Sequence, residues 1–412
     1  MATVSPTPTR AVPVPTRDGG VRVIGRANRY RRSRRSELVI WWREIDRVLL
    51  GLVMLLVVIG AIAVAAASPA SAHRLSTAQK VLSDLHFFWL HLRWLAFGLV
   101  AMFIASLLPA ETARRLAIVL AAAMLVGLVL VPILGAEVKG ARRWLNLGFS
   151  LQPSEFLKPG YAVAMAWILS WRLRDPRIPV IALTGALMIV VFGLLMMQPD
   201  FGSAVLFFAV WFVLVLMSGL PVARIGLLGG VLVFGVGMAY LFYPNATHRI
   251  DAFLSGGSEF DQVDLAMRTL VNGGWGGTGL WLGTRKMALP EAHTDYIFSV
   301  IGEEFGLVAC AVIVLIYCAI VARVMVRLLD EDDLFTVLAA AGLTAQLAGQ
   351  AFINILVNLQ LFPSKGMTLP LISYGGSSTM ALLLGVGFLL AITRRNPYLS
   401  RDPIVPKDRP AS

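Results

Sequence analysis

What this chain can fold into is limited first by its long apolar runs. A transmembrane helix needs about 20 mostly apolar residues. Ten stretches qualify: roughly 46–69, 87–108, 116–134, 153–171, 179–197, 202–219, 225–243, 297–322, 334–360 and 371–393. The fourth and eighth open on polar residues. The 412-residue chain is 57% apolar and only 15% charged, with a mean hydropathy of +0.75. A soluble domain carries roughly 45–50% apolar and about 25% charged residues. No core of this size hides that excess, because the surface still needs polar cover. The pattern predicts an all-α polytopic membrane protein of about ten transmembrane helices, with one large extracytoplasmic loop at about 244–296.

Basic residues orient the bundle, since Lys and Arg accumulate in cytoplasmic segments. Residues 1–47 hold eleven Arg against four acids, including Arg29, Arg31, Arg32, Arg34 and Arg35. With that tail inside, ten spans return the C-terminus inside as well. Inside segments then carry 24 Lys and Arg, outside loops carry 10, and Arg93 and Lys158 fall within spans. The two tails supply +7 and +3 of the net +12. The positive charge is therefore topological, and nucleic acid is not expected as a partner. Residues 1–45 read as a disordered basic cytoplasmic tail, 46–393 as the transmembrane domain and 394–412 as a short cytoplasmic tail. The tail's Arg cluster orients the chain and is suited to contact with anionic membrane lipid. About 45 polar residues precede the first apolar run, which reads as a signal anchor rather than a cleavable signal peptide. Cys310 and Cys318 lie about 12 Å apart along one helix, too far to bridge each other. No P-loop, dinucleotide fingerprint, metal-type His/Cys spacing or internal repeat is present.

Function is expected where polar groups enter the membrane or crowd an outside loop, and four places stand out. The first is Glu137-Val-Lys139-Gly-Ala-Arg142-Arg143-Trp144, closing with Gln152-Pro-Ser-Glu155. Three cations in five residues break the orientation rule; they suit a phosphate or pyrophosphate clamp, or interfacial anchoring beside Trp144. The second is Gln198-Pro-Asp200-Phe-Gly, where Asp200 reads best as a helix cap. The third is the large loop, with Asn272-Gly-Gly-Trp275, then Arg285, Lys286, Glu291, His293 and Asp295, followed by Glu303 and Glu304 in the next helix. Eight helical residues from Asp295 to Glu303 would leave them about 80° apart, so Glu303 is read with the cluster. The fourth holds Asn354, Asn358 and Lys365, then Ser373-Tyr-Gly-Gly-Ser-Ser378. Small hydroxyl-bearing residues there permit close helix packing.

Outside cations, one dominant carboxylate cluster and an apolar bundle suit a lipid-linked anionic substrate. Glycosyl transfer from a lipid pyrophosphate needs charge stabilisation for the leaving group and one carboxylate base for the acceptor hydroxyl. Glycoside hydrolysis would usually want two carboxylates. A transporter of the same lipid would more often bind at the midplane between repeats. Glycosyltransferase and lipid flippase therefore stand as the alternatives, with a non-enzymatic scaffold third.

Taken in order, these motifs resemble the SEDS family of bacterial cell-wall polymerases across about residues 45–395. The carrying residues are Lys139 to Trp144, Gln152 to Glu155, Gln198 to Gly202, Leu289 to Phe298, Glu303 to Gly306, and Lys365 through Ser378. Pro290-Glu-Ala before His293, and Lys365-Gly366, are closer to the FtsW division branch than to the RodA elongation branch. The resemblance implies a polymerase joining lipid II into glycan strands at the outer face of the cytoplasmic membrane. It implies Asp295 as general base and Lys139, Arg142 and Arg143 as pyrophosphate contacts. Glu155, Gln198, Asp200, Lys286, Glu291, His293, Glu303, Lys365 and Ser373 complete the candidate substrate-binding set. It further implies a divalent cation, Mg or Mn, an FtsI-like class B penicillin-binding protein as transpeptidase partner, and other divisome proteins. The chain departs from the family pattern at Asn358-Leu-Gln360-Leu-Phe362, where Gly is usual near position 360, and at Tyr296, where Phe is common.

Overall fold

A computed structural model describes residues 34–219 and 262–395 apart from positions 78, 139, 140, 147, 149, 176, 364 and 365, with short pieces elsewhere. The expected span at 225–243, most of the loop up to 261, Lys139 and Lys365 lie outside the described residues. The chain divides into Asp46–Arg394 and a second unit of Met1–Ile45 with Arg395–Ser412. In the second unit, strands β1 (Pro13–Pro15) and β2 (Val21–Val23) pair antiparallel, and helix α1 covers Arg34–Glu44.

The larger unit is helical and polytopic. Its helices are α2 (Arg47–Leu75), α3 (His86–Leu107), α4 (Ala110–Leu134), α5 (Pro153–Ser170), α6 (Val180–Met197) and α7 (Phe201–Met217). They continue as α8 (Gln262–Asn272), α9 (Ile297–Leu328), α10 (Leu334–Asn358) and α11 (Ser377–Ile392). Helices α2, α3, α4, α6, α9 and α10 are long and apolar enough to cross a membrane, and α7 and α11 are shorter apolar helices. All the expected spans except 225–243 thus fall on helices. Between α4 and α5 the chain adds a small antiparallel sheet, in order β3 (Ala136–Val138), β4 (Ala141–Asn146) and β5 (Ser150–Leu151).

Helix α2 shows how sequence sets these elements. Val48 to Ala67 is an unbroken run of 20 apolar residues, about 30 Å of helix and so about one hydrocarbon thickness. Asp46 starts it by accepting from the Val48 and Leu49 amides at 3.0 and 3.1 Å. The same carboxylate pairs with Arg323 at 2.9 Å and Arg327 at 3.1 Å near the end of α9. Replacing Asp46 by Ala removes the cap, worth about 1 kcal/mol, and leaves both Arg side chains without this partner. A lower melting temperature in detergent is the expected result.

Two boundaries differ from the sequence expectation. Helix α4 begins at Ala110, six residues before the apolar run, because Pro109 precedes it and Glu111 pairs with Arg114 and Arg115 along its first turns. Charged turns extend a helix beyond the apolar stretch that marks the membrane. The tenth span was expected from 371, yet α11 starts only at Ser377, with Leu371 and Gly376 at φ +65° and +55°. Its 16 residues cover about 24 Å, short of a full crossing. The preceding non-helical stretch fills the difference, lying so close to α2 that a Cβ on Gly60 would meet Leu371 O at 2.6 Å.

Non-helical backbone beside an apolar run needs protein partners for its polar groups. Here Gln350 Nε2 donates to Thr368 O at 3.1 Å, the Leu369 N–H donates to Ser373 Oγ at 2.8 Å, and the Tyr374 N–H donates to His293 O at 3.0 Å. The last bond joins this stretch to the 289–296 turn, and the candidate site forms along that seam.

Candidate functional site

The turn before α9 is built around Glu291, whose φ is +52°. Its carbonyl accepts from the Thr294 and Tyr296 amides at 3.1 and 3.3 Å, and Thr294 Oγ1 donates to its carboxylate at 3.0 Å. These bonds reverse the chain so that Glu291, His293 and Asp295 all line one cavity of about 500 Å³. Ser71 and Arg74 from the end of α2, Gln262, Leu289 and Gly366 line the same space.

Each member is held by a different neighbour. Buried His293 has Nδ1 2.7 Å from Ser71 Oγ, while its ring lies 4.2 Å from Phe87 and is stacked 5.5 Å from Tyr374, centroid to centroid. Half-buried Asp295 has its carbonyl fixed by Asn354 Nδ2 at 2.8 Å and Asn358 Nδ2 at 3.2 Å. Gly366, at φ +59°, passes so near that a Cβ there would meet Asp295 Oδ2 at 3.4 Å. Ser373 is buried behind the wall, donating to Thr294 O at 2.6 Å. It supports the site and does not line it.

Other expected binding residues are placed elsewhere. Lys286 and Glu303 are 2% and 0% exposed and line no part of the Asp295 cavity. Lys286 Nζ pairs with Glu304 and donates to Ala66 O at 2.9 Å. Glu303 accepts from the Arg285 and Lys286 amides, both at 2.8 Å, and from Asn272 Nδ2 at 2.9 Å. The loop backbone also joins α9, with the Thr278 N–H donating to Glu303 O at 2.8 Å and the Leu307 N–H to Gly274 O at 2.9 Å. Gly306, at φ +82°, breaks the helix there. The expectation that Glu303 shares a face with Asp295 assumed a helix running through 295. Because α9 starts at Ile297, its early carboxylates turn to the 272–286 loop instead.

The described residues of the first two sequence clusters make the following contacts. Exposed Arg142 reaches Glu137 at 3.5 Å. Arg143 donates to Gln198 O at 3.1 Å and to Pro199 O, docking the small sheet on the α6–α7 turn. Gln198 Nε2 donates to Leu128 O at 2.8 Å, and Asp200 caps α7 by accepting from the Ser203 N–H at 3.2 Å. Capping is the role the sequence favoured for Asp200. Glu155 is buried against Lys158 at 2.6 Å and accepts from Ser378 Oγ at 2.7 Å, while Lys158 also donates to Gln350 at 3.0 Å. None of these residues lines the Asp295 cavity.

Arg74 was the functional candidate that sequence reasoning passed over. It follows the first apolar run, on the side that the charge pattern leads one to expect outside, so the rule that singled out Arg142 and Arg143 applies to it equally. It is exposed, and one Nη donates to Ala288 O at 3.0 Å. A guanidinium has five N–H donors, so donors remain for an anionic ligand. The cavity thus offers a carboxylate that can take a proton and a cation that can meet developing negative charge. Among the described residues, no group of three His, Cys, Asp or Glu side chains is arranged to hold a metal ion.

Residues 46–398 match the model of a cell cycle protein family that groups FtsW, RodA and SpoVE. A Caulobacter vibrioides protein named as a probable peptidoglycan glycosyltransferase, FtsW, is 36% identical over 371 residues, covering 89% of this chain and 94% of that one. Among solved structures, a chain from a peptidoglycan synthase complex studied for its coordination of polymerization and crosslinking superposes with a TM-score of 0.71 at 30% identity. The match covers 85% of this chain and 98% of that one. A mutant of the Thermus thermophilus rod shape determining protein RodA gives a TM-score of 0.64 at 29% identity, with the same coverage.

Proposed function

The chain belongs to the FtsW/RodA/SpoVE family of cell cycle proteins, and on that premise we propose that it is a peptidoglycan glycosyltransferase of cell division. It polymerises lipid II into glycan strands at the outer face of the cytoplasmic membrane, where the division machinery assembles. The observation that carries the reading is the gathering of Asp295, Glu291, His293 and Arg74 around one cavity at the end of α2.

In the reaction, the Asp295 carboxylate accepts the proton of the acceptor's 4-hydroxyl as that oxygen bonds to the anomeric carbon of the growing strand. The bond from that carbon to the undecaprenyl pyrophosphate oxygen breaks, and the leaving group takes the electron pair. Its departing charge needs a donor rather than a proton, and Arg74 meets it. An FtsI-like class B penicillin-binding protein crosslinks the product, and other divisome proteins regulate the pair.

The test is purified protein with that partner in vesicles, supplied with labelled lipid II. Glycan strands are the expected product. Lipid II crossing the bilayer without strand formation would overturn the assignment in favour of a flippase. Replacing Arg74 by Ala should lower kcat/KM about 10²-fold, the scale set by loss of one charge-stabilising donor. Equal replacement of Arg142, which is exposed beside Glu137, should leave turnover within about twofold, since surface pairs carry little energy.

A further inference from the structure

Gln350, Asn354 and Asn358 stand four residues apart on α10, and so on one face of it. Each amide donates to non-helical backbone of the two segments that wall the cavity. Gln350 reaches Thr368 O, Asn354 reaches Met367 O at 2.6 Å and Asp295 O at 2.8 Å, and Asn358 reaches Asp295 O at 3.2 Å. Asn354 and Asn358 are 2% and 0% exposed. Burying an amide in an apolar bundle is unfavourable unless its hydrogen bonds are made, and here they converge on Asp295.

Asn358 does more than satisfy a carbonyl. In a continuing α-helix the Ser299 N–H would donate to Asp295 O, four residues back. That N–H is drawn to Tyr296 O at 3.1 Å and to Asn358 Oδ1 at 3.2 Å, and Ser299 Oγ donates to the same Oδ1 at 2.7 Å. The Asn358 carboxamide stands between the two backbone groups, accepting from residue 299 and donating to residue 295. It stops α9 short of Asp295 and fixes that residue from α10. Asn354 ties the same carbonyl to residue 367, beside the glycine that flanks the Asp295 carboxylate.

We infer that Asn354 and Asn358 are positioning residues for Asp295, holding its carboxylate outside the helix and facing the cavity. The inference rests on Asp295 being the general base. Without the Asn358 bridge, α9 gains a route to extend through Asp295, and each helical residue turns the side chain by about 100°. A displacement of about 1 Å at a reacting group can cost on the order of 10²-fold in rate.

The experiment measures kcat, KM and melting temperature for Asn354→Ala and Asn358→Asp in the reconstituted lipid II assay. Asn358→Asp retains an acceptor for Ser299 and exchanges the amide donor to Asp295 for a carboxyl group. The expected result is a fall in kcat of roughly 10- to 100-fold, with KM and melting temperature near those of the unchanged chain, and a moved acidic limb in the kcat–pH profile. Ser299→Ala, which disturbs the same Asn358 oxygen without touching either bond to Asp295, should keep kcat within about twofold. Should Asn358→Asp lower the melting temperature, Asn354→Ala decides. Normal kcat in Asn354→Ala, or a loss that only tracks falling stability, overturns the inference. Asp295→Asn in the same assay separates the premises: its retained turnover would sink the base assignment, whereas its loss beside normal Asn variants would sink only the positioning role.

Discussion

Asp295→Asn should abolish strand synthesis while leaving the protein folded. A positioned general base contributes about 10²–10⁴-fold, and the amide that replaces it cannot accept a proton at neutral pH. The backbone contacts of this residue use its carbonyl, through Asn354 and Asn358, and those survive the substitution. Melting temperature and partner binding should therefore stay near those of the unchanged chain. Lipid II affinity should also persist, because Arg74, His293 and Glu291 remain around the cavity. The informative measurement is single-turnover glycan formation with pre-bound substrate. A rate within about tenfold of the unchanged chain would place the base elsewhere, with Glu291 the first residue to examine because it lines the same cavity.

The bundle was largely legible because apolar runs and charge asymmetry are local signals that one sequence carries in full. Positions of most spans followed from run length alone. The short α11 did not, because nothing in residues 371–376 says that a buried turn against Gly60 replaces nearly two turns of helix. Within the site, Asp295, Glu291 and His293 were legible through an unusual density of polar residues before an apolar helix. The cations were not. Arg143 and Lys286 look alike in sequence, as outside charges without a topological duty, yet one docks a turn through carbonyls and the other is buried beside Glu304. Charge type names the chemistry a residue can do. Only the fold decides whether that charge is already spent, and Arg74 was overlooked because its neighbours in sequence are unremarkable.

That distinction has a consequence for the loop carrying Lys286. Lys286 and Glu304 are about 2% and 1% exposed and paired, and Lys286 Nζ also meets Ala66 O inside the apolar stretch of α2. Removing one member of a buried pair leaves the other uncompensated, at a cost of about 3–5 kcal/mol. Lys286→Met and Glu304→Leu should each therefore cut the yield of folded protein and lower its melting temperature sharply, with activity falling in proportion. Combining the two removes both charges together, and apolar replacement of a buried pair is often neutral. The double variant should recover most of the stability and, with it, strand synthesis. A substrate-binding Lys286 predicts the opposite, because restoring the fold would not restore a lost pyrophosphate contact. Recovered melting temperature with turnover still absent would return Lys286 to the active site. Recovered turnover would show that this position needs charge balance or apolar packing rather than a lysine, and that its part is to hold residues 272–286 against α9.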